Sequence, residues 1–276
     1  MEHEPPLKCV VGPTASGKSA RAVAIAKEVD GEVISVDSRQ IYRMLDIGTE
    51  KTTPEEMDSI PHHLIDILDP KEVYSAGDFV KDAEALISSI RARGKEPILA
   101  GGTNFYFDAL IYGLPETTPA NPLLRATLEE RSTEDLMAEI QERDPRRASK
   151  IDPSNRRRLI RALEIIDAHG TVPERAQAEP RYSVEWIVVD RERDELRERI
   201  HTRIERALGN GLIEEVERVR AYVGDERLNE LGLEYRIVGE YLRGERDHES
   251  LLPTLSARIW HYARHQKAWL RKLNTR

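Results

Sequence analysis

The stretch "VVGPTASGKS", residues 10–19, closes the apolar run Leu7 to Val11 and fits the pattern Gly-x-x-x-x-Gly-Lys-[Ser/Thr], with Gly12, Gly17, Lys18 and Ser19 at its fixed places. A loop of this kind, between a strand and a helix, wraps backbone N–H groups around a diphosphate. It points its lysine at the anionic oxygens and offers its last hydroxyl to Mg²⁺. ATP and GTP are the usual occupants, so the loop predicts a P-loop NTPase-like α/β core and leaves open whose phosphates it holds.

Working outward, "EVISVD" at 32–37 and "EPILAGG" at 96–102 are further short apolar runs. They alternate with the helical patterns "KSARAVAIAKEV" and "AGDFVKDAEALISSIRARG". Strands alternating with helices predict a parallel sheet flanked by helices on both faces. In the second helix Phe79, Ala83, Leu86 and Ile90 form a stripe at helical spacing, Gly94 suits the position after its end, and Pro97 opens the next strand. After Gly113 the character changes. "LPETTPANP" is rich in Pro and Thr, and no strand pattern follows up to about Pro180, so residues 113–181 read as an inserted helical subdomain in a core made of 1–112 and 182–276. "SVEWIVVD" at 183–190 reads as a further buried strand of that core. Beyond it Leu196, Ile200, Ile204 and Leu208 recur every four residues, and Gly209 and Gly211 interrupt the helix. The last helix mixes Trp260, Tyr262 and Trp269 with Arg258, Arg264, Lys267, Arg271 and Lys272. It reads either as a core-packed helix with a solvated basic face or as a surface that touches a polyanion.

The 276 residues carry 42 Lys and Arg against 50 Asp and Glu, a formal charge of −8, which argues against a wholly basic nucleic-acid binder but not against a local basic surface. The single Cys9 lies in an apolar run and permits no internal disulfide, as expected of a core residue in a reducing compartment. The acidic start "MEHEPP" and the absence of a long apolar run indicate neither secretion nor membrane insertion, so the expectation is a cytoplasmic protein.

Ligands of open α/β sheets sit beyond the carboxyl ends of the strands, so the polar residues there are the chemical candidates. Besides the loop, Asp37 ends "VISVD". It reads either as a cap or ion-pair partner, or as a Mg²⁺-organising or proton-accepting carboxylate. In "AGGT", Gly101 and Gly102 permit close backbone approach and Thr103 adds a hydroxyl. The strand "PILAGG" lacks the terminal Asp that holds Mg²⁺ in many nucleotide hydrolases; Asp37 could substitute, as in small-molecule kinases. Adjacent His62 and His63 diverge on an extended segment and have no Cys or carboxylate cluster to complete a metal site. In the insert, Arg146, Arg147, Lys150, Arg156, Arg157, Arg158 and Arg161 face only Asp144 and Asp152 as acids. Arg157 and Arg161 share a helix face apart from Leu159 and Leu163, an arrangement that suits RNA phosphates.

Several ordered segments together resemble the tRNA dimethylallyltransferase family: "GPTASGKS", "ISVDSRQIYRMLDIGTEK", "PHHLIDILDP", "YSAGDF", "RGKEPILAGGTNFY", "DPRRASKIDPSNRRRLIRALEI", the segment Arg199 to Arg203, and "YARHQKAWLR". The likeness runs over nearly the whole chain. It implies that Gly12, Pro13, Thr14, Ala15, Ser16, Gly17, Lys18 and Ser19 hold the diphosphate of dimethylallyl diphosphate, with Mg²⁺ near Ser19. The prenyl group then goes to the exocyclic N6 of the adenosine 3′-adjacent to a tRNA anticodon. Asp37 is the implied proton acceptor, Thr103 the residue that helps place the base, and Arg203, from the Arg199–Arg203 segment, a carrier of diphosphate charge. Asp37, Ser38, Arg39, Gln40, Thr103, Arg125, Arg157, Arg158, Leu159, Ile160 and Arg161 match tRNA-contacting stretches of the family. The chain departs from the family pattern at Asn104 and Phe105, in "LGLEYR" at 231–236, and in a shortened stretch between Arg125 and Asp144. A monomer is expected. The rival readings are a prenyltransferase of free adenine nucleotides, a P-loop small-molecule kinase, and a nucleotide-gated RNA-binding module. The basic insert favours tRNA over the first of these.

Overall fold

The computed structural model describes residues 5–114, 121–173 and 179–273. The chain divides into two compact units, residues 1–112 with 180–276 and residues 113–179. The elements of the first unit begin with β1 (Leu7–Val11), α1 (Lys18–Glu28), β2 (Gly31–Val36), a short α2 (Pro54–Met57), β3 (His62–His63), α3 (Ala76–Ala92), β4 (Glu96–Gly101) and α4 (Asn104–Tyr112). The second unit contributes α5 (Pro122–Glu129), α6 (Thr133–Arg143), α7 (Pro145–Ala148) and α8 (Arg156–His169). The first unit resumes with β5 (Val184–Val188), α9 (Arg193–Gly209), α10 (Leu212–Glu230, kinked at Gly224), α11 (Leu233–Leu242) and α12 (Leu251–Leu273).

The five strands form one parallel sheet in the order β3-β2-β4-β1-β5. The period of two along a strand sends alternate side chains to opposite faces. Leu7, Cys9, Val11, Ile34, Val36 and Leu99 pack with Phe79, Ala83, Ile87 and Ile90 of α3 and Phe107 and Leu110 of α4. Val10, Val33, Ile98 and Ala100 meet Ala22, Ile25 and Ala26 of α1 on the other face. Burial pushes the Cys9 thiol well above the ordinary range, which suits the core role read from its sequence context. In α3 the buried stripe runs through Ile87, whereas Leu86, expected there from its spacing, is only partly buried. Within segment 183–190, Val184–Val188 forms the edge strand β5, paired among the described residues with β1 alone and only partly buried, so the expectation of a buried strand is corrected: an edge strand has no second neighbour to cover it. A third cluster joins Leu196, Ile200 and Ile204 of α9 to Val216, Val219, Tyr235, Val238, Leu255 and Ile259.

The second unit has helices and no strand among its described residues, and its own core of Leu128, Leu136, Ile140, Leu159, Ile160, Leu163 and Ile166. The side chains of Leu159 and Ile160 therefore face that core, because the spacing that lines up the arginines of α8 turns these two inward. Arg156 donates to the Leu128 and Glu129 carbonyls. Arg125 forks onto the buried Glu164 carboxylate at 3.1 and 2.8 Å, and Arg161 reaches the same carboxylate at 3.2 Å. Arg157 and Arg158 are exposed.

Candidate active site

The carboxyl ends of β1, β2 and β4 open onto a cavity of about 840 Å³ lined by the phosphate loop, residues 37–40, Gly102, Thr103, Arg199, Arg203, Glu234, Tyr262 and Gln266. Gly17 adopts φ 93°, a left-handed turn that lets α1 start at Lys18. Gly12 cannot carry a side chain, because a Cβ there would lie 2.3 Å from the Val189 carbonyl oxygen.

Accounting for the loop's donors narrows the expected diphosphate contacts. Pro13 has no N–H, the Thr14 N–H donates to Gln266 Oε1 at 2.9 Å, and the Ser16 N–H donates to the Pro13 carbonyl at 3.3 Å. The Ser16 hydroxyl is buried and has no hydrogen-bond partner among the described residues. The N–H groups of Lys18 and Ser19 in the first turn of α1 are the orphan donors of a helix start, and the helix dipole adds partial positive charge there. Lys18 Nζ lies 3.5 Å from the Pro13 carbonyl oxygen. Burial pushes its ammonium below the usual lysine range, the charges of Asp37 and Glu50 oppose this, and Arg203 adds to it. The Ser19 hydroxyl and Asp37 carboxylate both line the cavity, hard oxygen donors of the kind Mg²⁺ takes beside phosphate oxygens.

Three arginines surround the loop. Arg203 donates to Thr14 Oγ1 at 2.5 Å and lies 3.3 Å from both Glu50 and Glu234. Arg199 donates to the Ala15 carbonyl at 2.7 Å, and Arg191 to the Ser16 carbonyl at 3.1 Å. Burial raises the Glu234 carboxyl above its usual range, against the pull of Arg203.

At the end of β2, Asp37 Oδ1 accepts the N–H groups of Arg39 at 2.8 Å and Gln40 at 3.2 Å, which fixes the carboxylate and leaves Oδ2 without a hydrogen bond among the described residues. The Thr103 hydroxyl oxygen accepts the Ser38 N–H at 3.1 Å, and its own N–H donates to Val36 O at 3.2 Å, so the ends of β2 and β4 hold both residues side by side. Gln40 Nε2 donates to the carbonyls of Thr49 and Glu50. The loop carrying Glu50 is held from behind by Glu215, 1 % exposed, which accepts the N–H groups of Asp46, Ile47 and Gly48 and the hydroxyl of Tyr235.

From α12, Gln266 donates to the Gly102 carbonyl at 2.8 Å while accepting from Thr14, and the Tyr262 hydroxyl reaches the same carbonyl at 3.3 Å. One amide thus bridges the phosphate loop and the Gly-Gly-Thr turn. Gln266, Tyr262, Arg191 and Glu215 were not read from sequence as site residues. Asp190-Arg191 follows the carboxyl end of β5, where the strand-end rule points, but nothing local marks Gln266. His62 and His63 sit on β3 with their ring nitrogens engaged by the Ile60 carbonyl and the buried Glu32.

With this geometry in hand, the match of residues 40–273 to the family described as IPP transferase is decisive. The chain belongs to that family. A tRNA dimethylallyltransferase of Thermomicrobium roseum is 43 % identical, over 99 % of this chain and 85 % of that protein. One of Methylococcus capsulatus is 40 % identical over 97 % of this chain and 90 % of that protein. Among solved structures, the tRNA isopentenylpyrophosphate transferase of Bacillus halodurans matches with TM-score 0.73 and 38 % identity, over 97 % of this chain and 87 % of the other. A eukaryotic dimethylallyltransferase solved acting on tRNA matches with TM-score 0.80 and 25 % identity, over 97 % and 70 % of the two chains. As in other members of the IPP transferase family, the P-loop-like parallel sheet is thus attached to prenyl transfer. Among the described residues no helix is long and apolar enough to cross a membrane.

Proposed function

We propose that this chain transfers a dimethylallyl group from dimethylallyl diphosphate to N6 of the adenosine 3′-adjacent to a tRNA anticodon, releasing diphosphate. The observation that carries the reading is the joining, in one cavity, of an anion cradle with a fixed carboxylate whose second oxygen is open. The N6 lone pair forms the new bond to the allylic carbon as the carbon–oxygen bond to diphosphate breaks, and the electron pair leaves on the diphosphate. Asp37 Oδ2 takes the N6 proton, since an aromatic amine is a poor nucleophile until it loses one. Lys18, the orphan amides of α1 and Arg203 stabilise the departing charge, and Thr103 helps orient the base. Ser19 would hold Mg²⁺ with the diphosphate oxygens, and that ion supplies further charge neutralisation to the leaving group. A stacked adenine must turn out of the anticodon loop to enter such a cavity. Exposed Arg157 and Arg158 of the helical unit suit tRNA phosphates, whereas Arg125 and Arg161 first serve Glu164. The buried free thiol of Cys9 suits a reducing compartment such as the cytoplasm.

The test is mass spectrometry of nucleosides after incubation with dimethylallyl diphosphate and either unmodified tRNA or AMP. The expected product is prenylated adenosine in tRNA. Prenylated AMP with untouched tRNA, or phosphate transfer from ATP without prenyl transfer, overturns the proposal.

A further inference from the structure

Arg203 is held from three sides in the cavity, and two of its holders carry negative charge. Its Nη1 donates to Thr14 Oγ1 at 2.5 Å, its Nε faces Glu50 at 3.3 Å, and its Nη2 reaches Glu234 Oε1 at 3.3 Å and the Gly48 carbonyl at 3.4 Å. A guanidinium has two N–H groups on each Nη, so the second one on Nη1 is left without a partner among the described residues. The Thr14 hydroxyl accepts from Arg203 and keeps its own hydrogen to donate. Both acidic holders are themselves fixed. Tyr235, next along α11 from Glu234, donates its hydroxyl to Glu215 at 2.7 Å, the same carboxylate that accepts the Asp46, Ile47 and Gly48 N–H groups just ahead of Glu50. The loop packs so closely there that a Cβ on Gly48 would lie 2.9 Å from the Tyr235 ring.

Affinity for a diphosphate does not explain this arrangement. Acidic residues outnumber basic ones in the cavity lining, and the two carboxylates more than neutralise the guanidinium between them. Burial, with the charges of Asp37 and Glu50, pushes the Glu234 carboxyl up against the pull of Arg203, so keeping it there is costly. A helix start favours an acid in its first turn, and Glu234 has that place in α11, but a side chain turned to solvent would meet that preference equally well. Glu234 is instead 18 % exposed and turned onto Arg203. It also lies in "LGLEYR", one of the stretches where the chain departs from the family pattern. What two carboxylates supply is a guanidinium that stays in place. A loose arginine would settle onto the bound substrate and stabilise it as much as the transition state, which tightens binding without raising kcat. A fixed one meets the charge that grows on the diphosphate as the carbon–oxygen bond breaks. We propose that Glu234, together with Glu50, is a positioning residue that clamps Arg203 for the departing diphosphate and thereby weakens resting affinity for that anion. The role in turnover rests on the proposed function; the effect on anion binding does not.

The test pairs steady-state kinetics on dimethylallyl diphosphate and tRNA with calorimetric binding of inorganic diphosphate, for the full chain and for Glu234→Gln. The amide keeps an oxygen near Nη2 but no charge. Inorganic diphosphate should therefore bind at least about threefold tighter, because one like charge has left its neighbourhood. In the same variant kcat should fall at least about tenfold, because Arg203 is free to shift onto the substrate. A lower kcat joined to tighter anion binding is the opposite of what a merely loosened pocket gives. Glu50→Gln, on the other edge of the guanidinium, should move both quantities the same way, and it serves if Glu234→Gln fails to fold as judged by thermal melting. In an Arg203→Lys background Glu234→Gln should change kcat no further, since the group it acts through is gone. Unchanged kcat, inorganic diphosphate bound no tighter, or a full additional loss in the Arg203→Lys background overturns the proposal. Should the wild-type chain prenylate no tRNA, the reaction reading fails, and the diphosphate measurement, which needs no turnover, supports or overturns the clamp by itself.

Discussion

Gln266 hydrogen-bonds both the phosphate loop and the Gly-Gly-Thr turn, and replacing it with Met removes both hydrogen bonds while keeping length and approximate volume. The two bonds are not equivalent. The Gly102 carbonyl retains the Asn104 N–H at 3.1 Å and the Tyr262 hydroxyl at 3.3 Å, whereas the Thr14 N–H has no other partner among the described residues. Gln266 is 3 % exposed, while the Thr14 N–H it accepts from is part-buried at the cavity wall, so water offsets part of the loss. The cost is then at most that of one buried unpaired donor, about 1–3 kcal/mol. At roughly 2–4 °C per kcal/mol for a unit of this size, the melting midpoint should fall by about 2–12 °C. The kinetic effect is separate: a reacting geometry displaced by about 1 Å costs as much as ~10²-fold. Gln266→Met should therefore lower kcat at least about tenfold at temperatures where the protein is fully folded, with KM for dimethylallyl diphosphate rising as Thr14 shifts. Steady-state kinetics well below the melting midpoint separate this positioning role from a merely structural one. A lower melting midpoint with unchanged kcat and KM would refute the coupling of the two loops.

Three further outcomes are expected. Asp37→Asn keeps an oxygen for the Arg39 and Gln40 N–H groups but cannot accept the N6 proton, so turnover should drop by at least about 10²-fold with tRNA affinity nearly unchanged; retained turnover would sink Asp37 as the base. Glu215→Ala strips the partner from three loop N–H groups and from the Tyr235 hydroxyl and, at about 1–3 kcal/mol for each buried donor left unpaired, should cost at least ~2 kcal/mol in denaturant unfolding, a loss below ~1 kcal/mol contradicting that role. Because burial lowers Lys18, the diphosphate-binding ammonium is fully present on the acid side of its lowered pKa and is lost as pH rises through it, before an ordinary lysine would titrate. Equilibrium binding of dimethylallyl diphosphate should weaken in that alkaline range and weaken later in Lys18→Arg; identical profiles for the two proteins would refute it.

The phosphate loop, the alternation of strands and helices around it, Asp37 and Thr103 were legible because each depends on local features: glycine at a left-handed turn, a period of two or 3.6, a polar residue ending an apolar strand. The same local rules read the α8 arginines as one cationic face. They could not foresee Glu164, which is buried at helical spacing and draws Arg161 and Arg125 inward. Nor could they tell β5 from a central strand, since an edge position depends on which strands pair, not on the run itself. Gln266 lies 252 residues from Thr14 and 164 from Gly102, and only the packing of α12 over the sheet brings its amide to both. Short-range stereochemistry and periodicity are written along the chain, so the sequence by itself determined the cradle and the acid beside it. Partner choice among buried polar groups is settled by chain segments that meet only after folding, so the tertiary structure alone decided what aligns them.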